Sequence, residues 1–392
     1  MPCLRKGALT ATVLAGVVLA GWQAETGAIE SHGTRLDGSR YTTEAKTAKF
    51  LEQPAAAAYL DRRQDWWMGW TKAKRDHDTF CVSCHTAVPY ALSRPSLRKA
   101  LGEQTVSANE RRLLDNVTKR VRLWKEVAPF YSDADRGMYK TAESRGTESV
   151  LNALILASHD AEMGQLSNDT RSALDAMWAE QQPSGEKMGA WLWLRFNNEP
   201  WEADDSDYYG AALAAVAIGT APENYGASPE IQVNVKKLRG YLNREFAKQT
   251  AINHAALLWA AARMPGLIEP ERQKAIIAEL LNEQQADGGW SLASMVCDWK
   301  RADGTQQEAK SDGYATGLTA FALQEAGVPL ENPVLQRGLT WLVENQDRTE
   351  GSWPGYSLNK AREHHISPAT ALFMNDAATA YAVLALSEAN RH

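Results

Sequence analysis

Five consecutive residues carry the most specific chemistry in this 392-residue chain: Cys81-Val82-Ser83-Cys84-His85. Two thiols three positions apart can each add to one of the two vinyl groups of a haem. The residue that follows then sets its imidazole under the iron. The spacing predicts one covalent haem c, with Cys81 and Cys84 as thioether donors and His85 as proximal ligand. A zinc site is one alternative; it needs a fourth ligand, and no second pair stands at zinc-ligand spacing. A disulfide from Cys84 to Cys81 or Cys297 is the other. For the distal iron position the sequence offers Met138 first, by its separation from the motif. Met68, His77, Met188, His364 and His365 follow, or the position stays open.

The order of these residues, and the Pro89-Tyr90 turn after them, resembles the attachment site of c-type cytochromes. Thioether haem is made outside the cytoplasm, and the N-terminus agrees. Arg5 and Lys6 precede an apolar run from Ala8 to Ala20, shorter than the roughly 20 residues of a spanning helix. Residues 1–28 therefore read as a cleaved leader of a periplasmic or otherwise exported protein, with an uncleaved anchor and membrane association as the alternative. A net charge of −6 argues against nucleic acid as a partner. The fourteen tryptophans call for thick helix packing or an aromatic-lined cavity.

Positioning such a motif requires more chain than its surroundings supply. Residues 29–105 form the haem-binding segment, and those between 55 and 100 are too few to wall off a haem alone. From about residue 106 to 392 a repeat takes over. Stretches apolar on most faces (Thr147–His159, Asp207–Gly219, Asn253–Met264, Asp312–Gly327, Ala377–Ala389) alternate with amphipathic ones. The latter are Ala108–Glu126, Asn168–Gln182, Gln232–Ala247, Pro270–Gln285 and Pro333–Gln346. The first set belongs inside and the second outside. The pattern predicts an all-α fold, an α/α toroid of five to six helical hairpins. The sixth would be completed by Thr43–Arg75 and the haem segment. An open solenoid is the other arrangement.

Three turns share a signature in which Gln ends an outer helix and a Gly turn and a Trp follow. They are Gln181-Gln182 with Gly189-Ala190-Trp191, Gln284-Gln285 with Gly288-Gly289-Trp290, and Gln346 with Gly351-Ser352-Trp353. This resembles the QW repeats of the squalene–hopene cyclase and prenyltransferase superfamily, which implies a toroid with these residues in a structural role. The cyclases of that superfamily protonate an alkene with an acid in an Asp-x-Asp-Asp-Thr motif. Glu202-Ala203-Asp204-Asp205-Ser206 is similar, but its carboxylates stand a turn or more too early. Asp204, Asp205 and Asp207 are thus weak catalytic candidates. Ser206/Asp207, Ser311/Asp312 and Asn375/Asp376 read instead as helix N-caps, or as a ring of carboxylates at one mouth. His159 and His254 read as core or lining residues. Cys297-Asp298 and His364-His365 are an incomplete zinc set.

The long connections 183–206, 286–311 and 347–376 mark one face as the working end. The sequence as a whole predicts an exported monohaem protein that transfers electrons or performs haem-dependent redox chemistry on an apolar ligand. A periplasmic redox partner goes with that reading. The alternatives are a non-catalytic electron carrier or binding scaffold, and a cyclase-like enzyme with an accessory haem.

Overall fold

The computed structural model describes residues 52–296, 299–301, 304–359 and 372–391. Twelve helices within them form two concentric layers. The outer layer holds α1 (Gln53–Gly69), α3 (Ala108–Arg122), α5 (Asn168–Glu180), α7 (Gln232–Glu245), α9 (Pro270–Asn282) and α11 (Pro333–Glu344). The inner layer holds α2 (Ala87–Ala100), α4 (Lys140–Met163), α6 (Ser206–Thr220), α8 (Ala251–Arg263), α10 (Gly313–Glu325) and α12 (Phe373–Ala389). Each inner helix packs on the next, and α12 packs on both α10 and α2, so the ring closes. The fold is an all-α toroid of six hairpins. Its first hairpin comes from residues 53–100, so Cys81–His85 lies within the ring.

Composition sorts the layers. Every residue of α6 from Ser206 to Ile218 is buried, and so is every residue of α10 from Gly313 to Gln324. Ala, Gly and Thr at these positions let neighbouring backbones approach. At Gly317 an added Cβ would lie 2.6 Å from the Ala382 nitrogen on α12. The outer α3 instead buries one stripe, Leu113, Val117 and Val121, at the spacing that puts them on one face. A capping box between Ser107 and Glu110 starts it. The inner helix α4 begins at Lys140, seven residues before its apolar run, because its first turn is polar yet still packs inward at Glu143 and Ser144.

The three glutamine–tryptophan turns act as ties between outer helices. The Gln181 amide donates to the Gly189 carbonyl (3.0 Å) and to that of Asn234 on α7 (3.1 Å). The Gln284 amide does the same to Gly288 (2.8 Å) and to Val334 on α11 (2.6 Å). The Gln346 amide reaches Gly351 (3.3 Å) and Glu52 at the start of α1 (3.2 Å), which joins the end of the ring to its beginning. Each partner Trp is fully buried and returns its indole N–H to its own outer helix: Trp191 to Met177, Trp290 to Leu280 and Trp353 to Leu342. Gly351 has φ +79°, and a side chain there would strike the Ala55 backbone, so only glycine fits.

Candidate functional site

The motif sits where the first hairpin turns from its outer to its inner helix. A two-stranded ribbon, β1 (Lys74–Arg75) and β2 (Thr79–Phe80), reverses the chain just before it. His77 and Asp78 at the tip have φ of 54° and 52°, as a tight primed turn requires. Asn116 on α3 grips Phe80 by both its backbone groups, at 2.8 and 3.1 Å. The Trp67 indole donates to the Cys81 carbonyl at 2.7 Å. Ser83 then caps α2, its hydroxyl accepting from the amides of Thr86 (3.3 Å) and Ala87 (3.0 Å). Cys84 and His85 thus form the entry turn of an inner helix, at the mouth of the barrel.

Both thiols are free and buried, Cys81 6 % and Cys84 4 % exposed. Burial pushes the Cys81 thiol up to about 12 and the Cys84 thiol well above its ordinary value. His85 is deep-set but half-buried, so it borders an accessible space. Its proton is placed by a chain of contacts. Thr86 donates its hydroxyl to Asp376 at 2.7 Å, and has no second proton to give. The 2.9 Å contact between His85 Nδ1 and the Thr86 oxygen must therefore run from Nδ1–H to oxygen. Nδ1 carries the proton, and Nε2 keeps a lone pair for a metal. Burial first, and Arg63 second, push the imidazole down to about 3, so it stays neutral.

Asp376, in the first turn of α12, anchors that chain. Arg63 donates to it through Nε (2.6 Å) and Nη2 (2.9 Å), and Tyr59 through its hydroxyl (3.0 Å). Asp376 is thus the junction of the last inner helix with the first hairpin, not a helix cap. Around the imidazole stands an aromatic shell. Phe373 stacks on its face with 3.7 Å between ring centroids, Trp67 meets it edge-on at 5.1 Å, and Trp201 is tilted at 5.8 Å. A ring stacked on the face leaves the in-plane Nε2 lone pair uncovered. Two free thiols, an Nδ1-protonated imidazole and an aromatic wall are a donor set that fits a haem c.

The other expected site residues fare differently. Met138 is 76 % exposed, whereas an iron ligand is enclosed by its haem pocket; the structure does not place it as one. His77 is at an exposed turn, paired with Asp76 at 3.0 Å, and Met188 is also exposed. Met68 is buried on α1 next to Trp67. His364, His365, Cys297, Asp298 and the leader lie outside the described residues. Asp207 is fully buried and bound by Lys187, by Arg195 at 2.8 Å and by the Trp193 amide at 3.1 Å, so it pins the mouth loop to α6. That leaves it no freedom as a catalytic acid. Asp312 is a true cap of α10, accepting from the amides of Tyr314 and Ala315. His254 pairs with Glu279 at 2.7 Å and stacks on Phe246.

Asp204 is exposed, and Asp205 accepts from Asn253 at 3.2 Å. Beside them is a residue the sequence did not single out. Burial, then Asp205 and Asp204, push the Glu199 carboxyl up to about 8. Its position next to Pro200-Trp201, just before the acidic run, was the only sequence signal.

The reading of electron transfer or haem redox chemistry on an apolar ligand is overturned, and its carrier and cyclase-like alternatives fall with it. The barrel axis that was to hold the ligand is filled. Trp201 meets Tyr314 at 5.5 Å, Tyr314 meets Tyr381 at 5.4 Å, and Trp259 meets Phe321 at 5.5 Å, all edge to face. Both thiols are buried within the protein. The cyclase-like acids are pinned, capping or displaced.

No protein-family model matches the chain, and no curated protein matches it. Among solved structures, a glycosidase point variant aligns with a TM-score of 0.48 and 14 % identity, over 85 % of this chain and 97 % of that chain.

Proposed function

We propose that this toroid is an enclosed haem-binding protein, holding one haem c at its mouth through Cys81 and Cys84. His85 is the iron ligand. The observation that carries the proposal is the fixed imidazole: Thr86 and Asp376 hold its proton on Nδ1 and leave Nε2 free, directly after two unpaired thiols. Such outer partners set both the ring's orientation and its strength as a donor. A haem bound there would be held by Cys81, Cys84 and His85 and would supply an iron centre.

This chain's own residues do the rest. Trp67 fixes the Cys81 carbonyl, Ser83 closes the turn that carries Cys84 and His85 into α2, and Phe373 keeps the imidazole from rotating. Thioether formation requires export, so the proposal includes removal of the leader after about residues 20 to 28.

Expression alongside a thioether-forming assembly system tests it. The haem should remain on the polypeptide through a denaturing gel and acid–organic extraction, with a two-thioether pyridine haemochrome spectrum. Cys81→Ala with Cys84→Ala should abolish retention, and N-terminal sequencing should find the shortened chain. Haem that extracts freely from the wild type refutes the proposal.

A further inference from the structure

A cleft of about 60 Å³, partly open to solvent, lies where α2, α3 and α4 meet, and it shares no lining residue with the haem site. Its apolar walls are Leu92 and Pro95 from α2, Leu113 and Leu114 from α3, and Ile155 from α4. Ser158 and His159, in the last turns of α4, stand at its polar edge. At about 10–15 Å³ for each water, such a space takes about four to six waters, or much of a single ring.

Three polar groups on this cleft are uncommitted. Pro95 sits inside α2 and has no N–H, so the Ala91 carbonyl, also on the wall, lacks its ordinary helical donor. The Ser158 hydroxyl and the His159 ring are both half-buried, and neither hydrogen-bonds a described protein atom. The carbonyl accepts; the hydroxyl can do both, and the imidazole carries a donor as well. The charged groups, by contrast, are spent on one another. Arg98, whose guanidinium lines the cleft, donates to Glu110 at 3.2 Å and to Glu162 at 2.9 Å. Glu110 also accepts from the Ser107 amide at 2.8 Å. The Tyr90 phenol is given to Asp61 at 2.7 Å, so only its ring is offered to the cleft. No lining guanidinium or ammonium is left over for an anion, and the two carboxylates would repel one.

We infer that this cleft binds a small neutral molecule with an apolar ring and one hydroxyl, a phenol by class. The walls take the ring, and the hydroxyl meets the uncommitted groups. A mostly apolar lining with a few convergent polar groups is the usual division of labour in small-molecule sites. The inference does not rest on the haem reading.

The test titrates full-length purified protein with 4-fluorophenol, followed by fluorine NMR line width. Fluorobenzene, 4-fluorobenzoate and 4-fluorobenzylamine are run beside it. The phenol should bind saturably, with a dissociation constant on the order of a millimolar, as suits so small a ligand. It should bind about 5-fold tighter than fluorobenzene, the worth of one hydrogen bond. Leu114→Trp, whose indole fills the cleft, should abolish binding of both. His159→Leu should bring the preference for phenol over fluorobenzene close to one. Melting curves show whether each variant is folded. Should Leu114→Trp not fold, the half-exposed His159→Leu and the wild-type ligand series still decide the matter. No saturation below about 10 mM in the wild type overturns the inference. So does unchanged binding in folded Leu114→Trp, an unchanged preference in His159→Leu, or a benzoate or amine that binds as tightly as the phenol.

Discussion

Asp376→Ala is the most demanding perturbation of the ring. Asp376 is 1 % exposed and Arg63 is 5 % exposed. Removing the carboxylate leaves a buried guanidinium with two unmatched donors, at a cost of about 3–5 kcal/mol. Tyr59 and Thr86 lose their acceptor as well, each worth about 1 kcal/mol, although losses within one network do not add in full. A total near 4–5 kcal/mol takes a large part of a typical domain's stability of about 5–15 kcal/mol. Urea unfolding followed by tryptophan fluorescence measures it as a fall in the midpoint. The control is Arg63→Met with Asp376→Leu, which removes both charges and keeps an apolar fill. It should recover all but about 1–2 kcal/mol, because the penalty comes from the stranded partner. A loss below about 1 kcal/mol for Asp376→Ala, or a double variant no better than the single, would refute the claim that this junction closes the ring.

Two further outcomes follow from other positions. Glu199 has a folded-state value near 8, above the ordinary 4.5, so the native state holds a proton that the unfolded chain has released. Stability contributed by that proton is complete below about 4.5 and lost as pH rises through 8. Glu199→Gln should therefore gain on the wild type between pH 5 and pH 9, by on the order of 1–2 kcal/mol after solvent screening. Melting at those two pH values checks it, and a difference that does not change with pH refutes it. Gly317→Ala pushes a methyl against the α12 backbone and should cost about 1–3 kcal/mol in denaturant unfolding. An unchanged midpoint would mean the two inner helices are not in backbone contact.

The sequence by itself determined the layers and their number. Ala-rich and amphipathic stretches alternate because inner helices are covered on all sides and outer ones on one. That pattern survives translation into the barrel nearly residue for residue, as at Asp207–Gly219 against the observed Ser206–Thr220. The glutamine–tryptophan turns were legible too, because each is local: a Gln, a glycine turn and a Trp within a dozen residues. The Cys81–His85 spacing was legible for the same reason, as five adjacent residues.

Tertiary structure decided what depends on distant parts of the chain. No local pattern ties Thr86 to Asp376, 290 positions away, or Gln346 to Glu52, 294 positions away; only ring closure brings them together. Asp207 and Asp376 look like caps because they begin inner helices, but their partners come from other elements. Met138 has a plausible separation from His85 along the chain, but separation does not fix burial, and the turn before α4 leaves it in solvent. The filled axis was the least predictable feature. It requires Trp201 from a loop and Tyr209, Tyr314 and Tyr381 from three different helices to meet, and a sequence records each of them only as one more aromatic residue.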